Sequence, residues 1–228
     1  MNEYLDNPVY HALLSGDTIR SFGSRHVKYF DVDVSPFAGF PEKYVEGFKE
    51  LHELLPAGRQ ILYATRNEID LPKGWELLHF IPGSQFLYLS KNGFESDYSN
   101  ITPLHHEHVD QMVKLAVLTK PGPFGKRTID FGNYHGIFDH DNLVAMTGRR
   151  LHVYDYTEVS AVCTHPNYLG RGYAKILLQH QINSILEEKK IPFLHVRSDN
   201  KRAIELYERI GFEKNGNMNF YFFRKSTF

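Results

Sequence analysis

Thr157-Glu-Val-Ser-Ala-Val-Cys-Thr-His-Pro-Asn-Tyr-Leu-Gly-Arg-Gly-Tyr-Ala-Lys175 is the stretch whose reading decides the fold of this chain. Its first residues form a β-rich run ending at Thr164. His165-Pro166-Asn167-Tyr168 then turns, and Gly170-Arg171-Gly172 leads into a helix. That helix carries Ala174, Leu177, Leu178, Ile182 and Ile185 on one face. A strand, a glycine-rich turn and a helix amino-terminus make an anion site. The free N–H groups point at the ligand, the helix dipole favours negative charge, and glycine admits close backbone approach. Arg171 and Lys175 can add charge-assisted contacts. A Walker loop would need Gly-Lys-Ser/Thr, and a dinucleotide fingerprint a third glycine where Lys175 stands. Alone, a Gly-x-Gly before a helix can equally be a tight connection.

A second segment follows about thirty residues on: Ser198-Asp-Asn-Lys-Arg-Ala-Ile-Glu-Leu-Tyr-Glu-Arg-Ile-Gly-Phe212. Phe193–Arg197 before it reads as a strand, Asn200 as a helix cap and Gly211 as the glycine just past the helix end. Ala203, Tyr207 and Ile210 share a helical face, which turns the Tyr207 ring inward while its hydroxyl can reach a site.

Together, residues 157–212 resemble the core motifs of the GNAT acyltransferase superfamily. Their wording is close to the domain that ends glycine N-acyltransferase-like proteins. The family's phosphate loop, Gln/Arg-x-x-Gly-x-Gly/Ala, corresponds to Leu169-Gly170-Arg171-Gly172-Tyr173-Ala174, with Leu169 where a polar residue is usual. Asn200-x-x-Ala203-x-x-x-Tyr207-x-x-x-Gly211-Phe212 matches the second motif throughout. The strong matches cover about a quarter of the chain.

The resemblance implies an α/β fold with a mixed, centrally splayed sheet and flanking helices, and acetyl-CoA (or another acyl-CoA) as co-substrate. By the same resemblance the cofactor lies between the strands ending at Thr164 and at Arg197. Its contacts would be Val162, Cys163, Thr164, Gly170, Arg171, Gly172, Tyr173, Ala174, Lys175, Asn200 and Tyr207. The Val162 N–H would face the thioester oxygen, and Tyr207 would protonate the leaving thiolate. A phenol of pKa about 10 can donate at pH 7. Glu158, eleven residues before Leu169, matches the glutamate that acts as base in the histone acetyltransferase branch, although many members use a water chain instead. Strand alternation places Glu158, Ser160 and Val162 on one face and Cys163 on the other, where a lone cysteine reads as a small core residue.

The rest of the chain sets bounds. It has 228 residues, 42% hydrophobic and 23% charged, with a net charge of -1. No global basic field argues for nucleic acid. One cysteine excludes an internal disulfide or a multi-cysteine zinc site, and a reducing cytoplasm is the default compartment. Met1-Asn2-Glu3-Tyr4-Leu5-Asp6 carries acids rather than a basic leader, and no apolar run suits a membrane span. His105, His106 and His108 cluster, but without HExxH or an acidic partner at helical spacing they read as a solvated helix start, so no metal is expected.

Residues 1–95 read as a smaller α/β domain of unassigned role. Its elements are a helix opened by Asn7-Pro8 through Leu14, a strand over Val27–Val34, a helix from Pro41 stopped by Pro56, and strands at Gln60–Ala64 and Gln85–Ser90. Lys91-Asn92-Gly93 and Ser96–Asn100 mark the boundary, and residues 98–228 form the acyltransferase-like part. There, Lys120–Gly125 and Pro121–Phe131 give loops suited to an acceptor pocket. The acceptor, a small-molecule or peptide amine, and the oligomeric state stay open. So do two other functions, an acyl-CoA-binding sensor or scaffold and nucleotide binding by the glycine loop.

Overall fold

The computed structural model describes residues 3–226, so Met1 and Asn2 of the leader reading lie outside the described residues, as do Thr227 and Phe228. In chain order the helices are α1 (Pro8–Leu14), α2 (Gly47–Leu54), α3 (Val109–Thr119), α4 (Tyr173–Glu187) and α5 (Lys201–Ile210). The strands are β1 (Ser21–Gly23), β2 (Lys28–Phe30), β3 (Ala38–Gly39), β4 (Gln60–Thr65), β5 (Trp75–Tyr88) and β6 (Thr102–Pro103). They continue as β7 (His135–Asp139), β8 (Asn142–Val153), β9 (Tyr156–Thr164), β10 (Ile191–Arg197) and β11 (Phe212–Lys225).

Among the described residues, β1–β3 form a small sheet and the other eight strands one large sheet, ordered β4-β11-β5-β10-β9-β8-β7-β6. That sheet runs across the boundary expected near residues 95–98. β5, from the amino-terminal half, stands between β10 and β11 and pairs antiparallel with both. β4 pairs with the far edge of β11.

Several local expectations hold for the reasons given by the side chains. Pro8 opens α1 and Asn200 caps α5, accepting from the Ala203 N–H at 3.2 Å. Gly211, at φ 107°, ends α5 in a left-handed conformation that glycine adopts without a Cβ clash. Two expectations were too long. The strand from Val27 stops at Phe30, because the Asp31 side chain accepts from the Asp33 N–H at 2.9 Å and turns the chain. The helix expected from Pro41 begins at Gly47, after a turn in which the Gly47 N–H donates to the Tyr44 carbonyl.

The two largest hydrophobic cores among the described residues lie on opposite faces of the large sheet. Leu178, Ile182 and Ile185 of α4 and Tyr207 and Ile210 of α5 pack on Phe86, Leu194 and Val196. Each of the three α4 aliphatics is fully buried, worth about 1.5–3 kcal/mol apiece relative to exposure. On the other face α1 and α3 supply Val9, Leu13, Met112 and Leu115 against Met146, Cys163 and Phe193.

The sheet splays where β9 and β10, its parallel pair, part company. Their register covers Tyr156–Glu158 against Ile191–Phe193 and goes no further. The cause lies in β9. Against β8 its register slips between Cys163 and Ser160, and Ala161 sits at φ 52°. This is a β-bulge, an inserted residue that bends its strand. A left-handed alanine costs of order 1–3 kcal/mol and persists where its surroundings over-determine it.

Candidate active site

The glycine turn has the conformation of an anion cradle. Gly170 and Gly172 sit at φ 83° and 82°, and a Cβ on either would meet nothing within 4 Å, so the space before them is open. Gly172 is the N-cap of α4 and offers no side chain, so the first amides of the helix, from Tyr173, Ala174 and Lys175, are free of a side-chain cap. Arg171 lies with its guanidinium 4.6 Å from the centre of the Tyr168 ring, and the Tyr168 hydroxyl donates to Asp139 at 2.5 Å. Leu169 is exposed. These features fit a pyrophosphate.

From this loop the unpaired edge of β9 leads to a cavity of about 540 Å³ in the splay. Its lining includes Ser160, Ala161, Val162, Asn200, Ala203 and Tyr207. Cys163 is buried in the core beside the gap, and the Thr164 hydroxyl is buried without a protein partner. The Tyr207 hydroxyl has no hydrogen-bond partner among the described residues. Burial, and then nearby Cys163, raise its pKa, which keeps the phenol protonated. Burial also pushes the Cys163 thiol up to about 12, which leaves it a core residue and a poor nucleophile. Native protein is expected to react with a thiol reagent at least tenfold slower than protein in denaturant. Equal rates would contradict the burial.

The bulge corrects the assignment of faces. Val162 packs with Val159 against the α4–α5 core, whereas Ala161 and Cys163 join the opposite core. Glu158 also faces that opposite side, where it meets His195. One inserted residue reverses the alternation, so Val162 is not on the face of Glu158 and Cys163 is.

Glu158 itself is 0% exposed and is absent from the cavity lining. Arg150 grips it in a fork, Nε to Oε2 at 2.8 Å and Nη2 to Oε1 at 2.6 Å. His195 Nδ1 lies 2.7 Å from Oε1. Burial alone would raise its pKa, but Arg150 and His195 outweigh that and hold it down to about 2. Both oxygens are occupied and the group is a very weak base. The expected role of proton acceptor from the amine does not suit this environment. Glu158 instead holds Arg150 and His195 in place.

His195 is fixed from its other side as well. Its Nε2 lies 2.9 Å from Gln85 Nε2, and that amide also donates to the Leu5 carbonyl. Gln85 cannot turn round, because its Oε1 accepts from Arg66 at 2.8 Å and Asn215 at 2.7 Å. Its NH₂ must therefore donate to Nε2, which puts the ring proton on Nδ1, facing Glu158. The network ties residues 5–85 to the splayed strands.

A family described as FR47-like protein matches residues 134–221. The crystal structure of a GNAT-family protein from Novosphingobium aromaticivorans is similar to this chain with a TM-score of 0.92. It is 29% identical, over 99% of this chain and 100% of that one. The chain has the GNAT acetyltransferase fold. A GCN5-related N-acetyltransferase from Kribbella flavida shares that fold at 13% identity and a TM-score of 0.62, over 96% and 95% of the two chains. A GNAT-family acetyltransferase from Colwellia psychrerythraea does so at 12% identity and 0.52, over 88% and 80%. No curated protein sequence matches significantly. These matches support the GNAT acetyltransferase superfamily. Among the described residues no helix is long and apolar enough to cross a membrane.

Within the GNAT fold, the residues that sequence reading missed are Arg150, His195 and Gln85. His195 had one weak signal, alternation with Phe193 and Arg197 on an expected strand. Arg150 and Gln85 had none, since each earns its place through contacts across strands. The clustered histidines fall where expected, as a capping turn before α3 in which the His105 N–H donates to His108 Nδ1 at 2.9 Å.

Proposed function

We propose that this chain transfers an acetyl or other short acyl group from acyl-CoA to an amine by direct attack. The observation that carries the reading is the pairing of an uncapped, glycine-led helix start with a splayed strand edge that ends in a cavity under Tyr207. The thioester supplies the activated acyl carbon. Gly170–Lys175 hold its phosphates, and the free edge of β9 from Val162 to Thr164 receives the pantetheine arm. The Val162 N–H polarises the thioester oxygen. The amine nitrogen bonds to the acyl carbon, the carbon–sulfur bond breaks, and Tyr207 gives its proton to the sulfur. With Glu158 and His195 committed to each other, water carries the amine's proton away, and Tyr207 regains its own from solvent.

The finer resemblance to the carboxy-terminal domain of glycine N-acyltransferase-like proteins belongs to this proposal and rests on the two motifs. So does a cytoplasmic location, which rests on the single reduced cysteine.

Coenzyme A is expected to raise the melting temperature. At a hundredfold excess over Kd the gain is about 2.7 kcal/mol. Gly172→Asp should remove that gain, since a carboxylate then projects into the open space where phosphate sits. No shift and no calorimetric heat with wild type would refute the cofactor assignment. Binding without thiol release from any amine would point instead to an acyl-CoA sensor or scaffold.

A further inference from the structure

The cavity has a composition that selects among amines. Its charged and titratable lining side chains include Lys120, Arg150, His195 and Arg197, with no aspartate or glutamate. Arg197 is committed to Asp199 at the exposed rim. Arg150 is different, because its side chain is only 11% exposed and its fork on Glu158 uses Nε and Nη2. Nη1 has no protein partner among the described residues and is not fully buried, and Arg150 lines the cavity. A Cβ built on Gly122, in the loop across the opening, would lie 3.9 Å from it. The guanidinium also rests 4.8 Å from the centre of the Phe37 ring, so its orientation is held by two neighbours. A held guanidinium edge with unused donors beside the cavity suits an anion.

Around it the walls are apolar: Phe37, Leu62, Ile81, Phe124, Phe220 and Phe222. A polyamine or a lysine side chain would find no counter-charge there. A small polar amine would leave the aromatic wall uncovered.

From these observations we infer that the acceptor is an amine that also bears an anionic group and a bulky apolar part, with Arg150 recognising the anion. This rests on the acyltransfer reading above.

The test uses wild-type protein, acetyl-CoA and thiol release. L-Phenylalanine and L-leucine are compared with their amides, and 2-phenylethylamine, glycine and spermidine complete the set. The expected result is a kcat/KM for each apolar amino acid on the order of tenfold or more above that of its amide, as for a lost charge-assisted hydrogen bond, with glycine and spermidine poorer still. Arg150→Lys should collapse the acid-over-amide ratio toward one while the stabilisation by CoA is kept. Should that variant not fold, the matched pairs in wild type decide alone. Preference for the amides, 2-phenylethylamine or spermidine would overturn the acceptor assignment and leave acyltransfer standing. Release with none of them, while CoA still binds, would overturn the acceptor assignment, and release with no other amine either would overturn acyltransfer as well.

Discussion

Tyr207→Phe is expected to lower kcat about 10²-fold, the lower range for loss of a general acid, with the melting temperature and CoA stabilisation little changed. The ring packs edge-on to Phe212 at 6.0 Å and fills the α4–α5 core, and phenylalanine keeps that packing. The hydroxyl makes no protein hydrogen bond among the described residues, so its removal strands no partner. Its burial-raised pKa means that wild type should show no loss of this proton across the neutral range. The thiolate must then leave unprotonated or take its proton from water. Single-turnover measurements separate this effect from slow product release. An unchanged chemical step would remove Tyr207 from the reaction.

Glu158→Gln is the change with the largest expected effect on stability. Glutamine is isosteric, but it leaves the Arg150 cation without its counter-charge in a site almost closed to water. Breaking a buried pair in this way costs about 3–5 kcal/mol. At roughly 2–4 °C per kcal/mol for a chain of this size, the melting temperature falls by roughly 6–20 °C. The pH dependence has a definite sign. The folded carboxyl sits at about 2, below the ordinary glutamate value of 4.5, so its contribution is complete above the unfolded pKa and is lost as pH falls through the folded one. The gap between wild type and the glutamine variant should therefore close between about pH 4.5 and 2 and stay constant above. Calorimetry or denaturant titration across that range measures it. Activity per folded molecule should keep a constant variant-to-wild-type ratio above pH 5. A ratio that recovers steadily as pH rises would restore Glu158 as the proton acceptor.

Both experiments turn on features of different legibility. The amino-acid sequence determined the parts that rest on local bonding: the Gly170–Lys175 turn and helix start, the Asn200 cap, the Gly211 stop and the inward side of Tyr207. Each depends on residues within one or two helical turns, where backbone amides and side-chain spacing decide the outcome. The tertiary structure alone decided the rest. Strand β5 is inserted between β10 and β11, which no periodicity within residues 75–88 announces, because a strand's neighbours are chosen by long-range pairing. The bulge at Ala161 depends on the register against β8, and one inserted residue carries Val162 and Cys163 to faces opposite those that alternation predicts. The role of Glu158 was set by Arg150 from the adjoining strand and by His195, itself fixed by Gln85, more than a hundred residues away in sequence. A carboxylate's basicity is the balance of burial against those partners, and that balance exists only once the strands have met.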